Sequence, residues 1–118
     1  MQCFAKSDRG AVRKENQDRA AGARIRRKGC VVGVVCDGMG GAAGGKLASE
    51  LAASTFLAQF RREMMAGSAV EPAMRAACDA ANQAVYGRAC ADPELRGMGT
   101  TIGADCVRHG RLTVLHGG

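Results

Sequence analysis

An α+β fold, with helices set between two groups of strands, is predicted by three observations. The first half holds an alternating opening stretch and a β-branched apolar run, "CVVGVVCDG". The middle carries two long segments in which apolar residues recur every three to four positions. The end reads as two short strands joined by a turn. The order strand, strand, helix, helix, strand, strand lacks a regular βαβ repeat and favours a sandwich with helices.

Taken in order, "QCFAKSDRG" alternates weakly and reads as a strand that ends in turn residues. "GAVRKENQDRAAG" is polar and is read as a loop. "CVVGVVCDG" reads as a strand buried on both faces, with Asp37 near its C-terminal end. Lys46 to Arg62 is expected to be a helix that starts at about Lys46, with Leu47, Leu51, Ser54, Thr55 and Ala58 as its stripe and Phe56 and Phe60 one turn apart. Ser68 and Glu71 have capping-box spacing, and Pro72 is tolerated in a first turn. The second helix should run to about Cys90 and bury Met74, Ala77, Cys78, Ala81 and Val85. "ADPELRG" is a loop. "GTTIGADCV" and "RLTVLHGG", joined through "RHG", form a β-hairpin.

Composition removes several function classes. The chain has 118 residues, room for one small domain at most. No apolar run is long enough to span a membrane, and the charged first ten residues do not resemble a signal peptide, so a cytoplasmic chain is expected. The six cysteines form no C-x-x-C pair, and with His109 and His116 they complete no zinc pattern, so they read as small buried thiols. The formal charge of +6 is concentrated in residues 1 to 28, which end in "RIRRK"; this segment is either a solvated hairpin loop or a surface that attracts anionic partners. Aromatic residues are only 3%, which argues against stacking on single-stranded nucleic acid.

The chemistry is concentrated in "CDGMGGAAGGKLAS", residues 36 to 49. Gly40 to Lys46 has the G-x-x-x-x-G-K spacing of a phosphate-binding P-loop, but Leu47 stands where a Ser or Thr should reach magnesium, and the reading fails there. The alternative begins with Asp37, a carboxylate at a strand end followed by glycines that expose backbone carbonyls. Carboxylate and carbonyl oxygens suit magnesium or manganese. A second stretch, "SDRGAVRKENQDR", adds Arg13, whose planar fork of donors matches phosphate, and Asp18, another hard oxygen ligand.

Together these stretches resemble the PPM-type, or type 2C, metal-dependent protein phosphatases in their bacterial form. "SDRGAVRKENQD" (Ser7 to Asp18) is similar to the family's opening motif, "VCDGMGGAAGGKLAS" (Val35 to Ser49) to its D-G-M-G-G motif, "MGTT" (Met98 to Thr101) to its third, and "LTVLHGG" (Leu112 to Gly118) to the strand entering G-D-S-R. The resemblance implies a sandwich of two antiparallel sheets flanked by helices. Residues 1–118 would be the N-terminal portion of one such domain, cut after Gly118. It implies hydrolysis of phosphoserine or phosphothreonine by water activated between two manganese or magnesium ions, with no covalent intermediate. Asp37 would bridge the ions, the Gly38 carbonyl would bind one, Asp18 would join the cluster, and Arg13 would clamp the phosphate. Gly99 and Thr100 would line the region, without a catalytic role. Two departures stand out: Met39 replaces the His that many eukaryotic relatives carry there, and the later metal-binding Asp residues have no counterpart. Asp79, Asp92 and Asp105 match no motif.

The implied partner is a phosphorylated protein substrate, with a cognate serine/threonine kinase beside it, and neither nucleic acid nor membrane. Half a binuclear site holds metal poorly, so the isolated chain is expected to be inactive. The competing reading is a non-catalytic remnant that binds a phosphoprotein or kinase.

Overall fold

The computed structural model describes residues 2–6 and 18–117. Five antiparallel strands form one sheet in sequence order, with neighbours paired throughout: β1 (Gln2–Lys6), β2 (Asp18–Ile25), β3 (Cys30–Met39), β4 (Gly99–Arg108) and β5 (Arg111–Gly117). Two long helices, α1 (Gly41–Met65) and α2 (Val70–Ala91), lie between β3 and β4 in the chain. The α+β class and the insertion of helices between groups of strands are therefore as expected.

The sheet has two unlike faces, because strand side chains alternate. Toward the helices β3 turns Cys30, Val32, Val34 and Cys36, and β4 turns Ile102, Ala104 and Cys106, each no more than 5% exposed. Val31, Val35 and Val107 point the other way and are 40%, 55% and 47% exposed. The expectation that β3 is buried on both faces is thus corrected: its burial alternates along the whole strand.

The helices fill the covered side. From α1 come Ala48, Ala52, Ala53, Phe56, Phe60 and Met64. Its alanines let the helix approach the sheet closely, and the two rings, stacked with centroids 6.3 Å apart, fill the space that remains. The expected stripe was right about Phe56 and Phe60 but otherwise displaced: Ser54 and Ala58 are exposed, and Leu47, Leu51 and Thr55 are only partly buried. The stripe of α2 is as expected, with Met74, Ala77, Cys78, Ala81 and Val85 all buried.

Four local readings change. Residues 18–22, expected in a loop, belong to β2, which pairs with β1 on one side and β3 on the other. Helix α1 begins at Gly41, five residues before Lys46. Ser68 is no N-cap: the cap position is Ala69, and the Ser68 hydroxyl bonds the Glu63 carboxylate at 3.2 Å while Glu71 pairs with Arg75 at 3.0 Å. Within "ADPELRG" a single 3-10 turn, Pro93–Leu95, is capped by Asp92, whose carboxylate accepts from the Glu94 N–H. The β4–β5 hairpin is as expected. Its turn is His109 and Gly110, both at positive φ (52° and 75°), the tight geometry that suits the twist of paired strands.

Of the cysteines whose side chains are described, Cys30, Cys36, Cys78 and Cys106 are buried free thiols, as expected, whereas Cys90 is exposed. Burial pushes the Cys36 and Cys106 thiols up to about 12, helped by the neighbouring Cys78 and Cys30 respectively. Among the described residues, no helix is long and apolar enough to cross a membrane.

Candidate metal centre

The glycine-rich stretch that invites a phosphate-loop reading is not a loop. Cys36 to Met39 finish β3, Gly40 makes the turn, and Gly41 onward is helix. Gly40 has φ 114°, and a Cβ placed on it would lie 2.7 Å from the Met98 Cα. Both the backbone angle and the close approach of the chain entering β4 demand glycine there. This turn seats the end of β3 against the start of β4, and the site is built at that junction.

Strand register decides which side chains meet. Asp18 opens β2 directly opposite Asp37 on β3, and Thr101 on β4 is directly opposite Asp37 on its other side. Directly paired residues share a face with Cβ atoms about 4.5–5.5 Å apart. Asp18, Asp37 and Thr101 therefore form a row across three strands on the face that the helices leave open. One oxygen of Asp18, Oδ1, is shielded from solvent, and Asp37 is partly buried. Gly38 follows on β3, buried, so its backbone lies beside the carboxylates.

The expected site residues fare differently. Asp18, Asp37 and Gly38 come together at one end of the sheet. Arg13 lies outside the described residues. Of the third motif, Gly99 pairs with Met39 and Thr100 with Gly38, but the Thr100 side chain turns into the covered side, 7% exposed, where its hydroxyl donates to the Thr101 carbonyl at 2.8 Å. The residue beside Asp37 is Thr101, which the sequence reading did not single out. The pleat explains this: only the register tells which of two adjacent threonines shares the face of Asp37. Met39, which stands where many eukaryotic relatives carry His, is half exposed and lies over Gly99, its Cγ 3.7 Å from where a Cβ on that glycine would be.

The donor set suits a hard cation in kind. Two carboxylates facing each other and an adjacent backbone carbonyl are all oxygen donors. In number it is partial, since among the described residues no three His, Cys, Asp or Glu side chains cluster so as to hold a metal ion. The described residues thus offer oxygen donors of the kind a hard cation takes, fewer than a complete coordination shell.

The architecture is an antiparallel sheet backed by two helices, with an acidic pair across β2 and β3 just ahead of a glycine turn. Residues 9–118 match the protein phosphatase 2C family, and the chain belongs to it. The serine/threonine protein phosphatase PstP of Mycobacterium tuberculosis is 37% identical over 113 residues, which are 95% of this chain and 20% of that protein. A putative protein phosphatase of Mycoplasma pneumoniae is 46% identical over 54 residues, covering 46% of this chain and 20% of its own length. Among solved structures, the catalytic domain of PstP in complex with two manganese ions superposes with a TM-score of 0.74 at 33% identity, covering 98% of this chain and 46% of that one. The serine/threonine phosphatase of S. agalactiae, at 22% identity and a TM-score of 0.73 over 98% of this chain and 47% of its own, shares the fold. The chain thus spans a fifth of the length of the curated PstP and just under half of its solved catalytic domain.

Proposed function

We propose that this chain supplies the N-terminal half of a metal-dependent protein serine/threonine phosphatase site. The observation that carries the reading is the Asp18–Asp37 pair, set face to face by strand register at the end of β3 in a chain of the 2C family. Asp37 would bridge two manganese or magnesium ions, Asp18 would join them directly or through water, and the Gly38 carbonyl would complete what this chain offers. When bound, such ions activate water and neutralise charge at phosphorus. The chain's own residues have a separate task. β2 and β3 hold the two carboxylates rigid, so that little reorganisation is needed when a cation enters. Helix α1 starts just beyond and carries no acid in its first turn, so its positive end favours the anionic oxygens gathered there. Arg13 would bind the phosphoryl oxygens through its planar fork and offset their charge.

The substrate on this reading is a phosphoserine or phosphothreonine in a protein, and the setting is the cytoplasm. Alone, the chain should turn over no phosphothreonine peptide in manganese, since two carboxylates do not retain two ions. Manganese binding, followed by the loss of the free-ion EPR signal, should weaken markedly in Asp37→Asn and Asp18→Asn. Turnover should appear when the part of the PstP catalytic domain that this chain does not span is supplied in trans, and should vanish again with Asp37→Asn. Manganese binding indifferent to both substitutions would remove the basis of the proposal. Phosphopeptide binding that survives both chelation and Asp37→Asn would instead favour a binding module.

A further inference from the structure

We propose that the end of the sheet opposite the two aspartates is a docking site for an acidic polypeptide segment. Two turns meet there. The 3-10 turn Arg26–Lys28 joins β2 to β3, and His109-Gly110 joins β4 to β5. Register brings Arg108 beside Cys30 and Arg111 beside Arg108, and the Arg108 Nε–H donates to the Lys28 carbonyl at 2.9 Å, tying together turns 80 residues apart in sequence. Arg24, Arg26, Arg27, Lys28, Arg108 and Arg111 are thereby gathered on one edge of the molecule, with exposed His109 among them. Arg24, Arg26, Arg27 and Arg111 are exposed, and Lys28 and Arg108 are partly so.

Among the described residues, positive charge is concentrated at this end. The sequence holds 17 basic and 11 acidic residues. Six of the basic ones lie on this end, where residues 24–30 and 107–112 include no acid, so the rest of the chain is balanced at eleven of each sign. The six cations gathered here equal in number the formal net charge of the sequence. A concentrated field of one sign raises the local concentration of an oppositely charged partner and speeds its arrival.

The surroundings favour a polypeptide over a nucleic acid. Beside the cations a groove of about 770 Å³ runs between the start of α2 and the hairpin, lined by Val70, Pro72, Arg108, His109, Arg111 and Leu112. It offers apolar floor next to cationic rim, which suits acidic residues flanking an apolar one. Glu71 also borders it, but its carboxylate is engaged by Arg75. No described Phe or Tyr ring lies at this end to stack on a base, which leaves His109 as its one described aromatic group: Phe56 and Phe60 are buried, and Tyr86 is far along α2. The four strands β2 to β5 are spaced about 4.8 Å apart, so the edge is about 14 Å wide and matches roughly five residues of extended acidic chain. Cys30 and Asp37 are seven residue steps apart along β3, or about 23 Å, so a segment docked here leaves the carboxylate pair open.

The test is fluorescence anisotropy with a labelled peptide of five glutamates and one leucine, in EDTA, which keeps the outcome separate from any metal chemistry. The peptide should bind the chain at 50 mM salt, lose affinity steeply by 300 mM, and give way to no binding when glutamines replace the glutamates. Arg26→Ser/Arg27→Ser/Arg111→Ser should weaken binding by about tenfold or more, against less than about twofold for Arg61→Ser/Arg88→Ser/Arg96→Ser, which removes equal charge elsewhere. Acetylation footprinting of the unaltered chain gives an independent reading: bound peptide should protect Lys28 and leave Lys46 unchanged. Equal losses in the two triple variants would reduce the effect to net charge and overturn the proposal. So would an unprotected Lys28, or tighter binding to a DNA strand of matching charge or to anionic lipid vesicles than to the peptide.

Discussion

The two faces of the sheet are made from the same strands and the same alternation, yet they carry different kinds of information. The helix-covered face is built of Val, Ile, Ala, Cys and Phe, and its members are almost all below 5% exposed. The open face interleaves exposed Val31, Val35, Val107, Leu112 and Val114 with Asp18, Asp37, Thr101 and Asp105. The covered face buries the apolar side chains, while the open one carries the carboxylates of the proposed site. That division predicts how substitutions should sort.

The largest effect should come from the covered face. Phe56→Ala removes a fully buried ring that stacks on Phe60 and should cost about 3–5 kcal/mol in denaturant unfolding, enough to unfold most of a marginal domain. Next is the junction between the faces. Gly40→Ala forces a Cβ onto the Met98 backbone at a positive φ and should cost about 2 kcal/mol or more, read by the same melt. Alkali should also act through the covered face. Cys36 and Cys106 ionise at about 12 in the fold and at 9.0 when free, so the unfolded chain sheds protons first as pH rises. Stability should therefore be full below pH 9 and fall between pH 9 and 12, by about 1 kcal/mol or more per thiol over that window, and the slope should flatten in Cys36→Ala/Cys106→Ala.

On the open face the order reverses. Asp37→Asn should leave the melt within about 0.5 kcal/mol of the parent. On the proposed function it should weaken manganese binding by about tenfold or more, since Asp37 would be a direct ligand and losing even a neighbour of one costs that much. Val35→Thr is the smallest, within about 0.5 kcal/mol and silent toward manganese. A large loss of stability in Val35→Thr would break the distinction between the faces.

Legibility in the sequence followed the strength of the local signal. The buried stripe of α2 could be read because its apolar residues are separated by Arg75, Asp79, Asn82 and Gln83, so the period stands out. β2 could not: "DRAAGARI" is alanine and glycine where strands favour branched side chains, and pairing with strands on both sides makes it a strand. The start of α1 was hidden for a related reason. Glycines lower helix propensity, but Gly44 lies beside Met98, and packing at the β4 entrance outweighs the local preference. At the candidate site, motif order picked out Asp18, Asp37 and Gly38, which strand pairing places next to one another. It was not enough to choose Thr101 over Thr100, because a pleat assigns neighbours to opposite faces and only the pairing with β3 says which is which.

The same topology bears on the order in which the site comes together. Asp18 and Asp37 belong to one hairpin, closed by a short turn, so their strands can meet by local search. Thr101 arrives only when β4 pairs with β3 across the whole helical insertion, a closure that carries a larger entropic cost and sets a slower clock. The acidic pair is therefore an early product of folding and its threonine neighbour a late one. On the proposed function, manganese added to a refolding chain would meet two carboxylates already side by side before the sheet is complete.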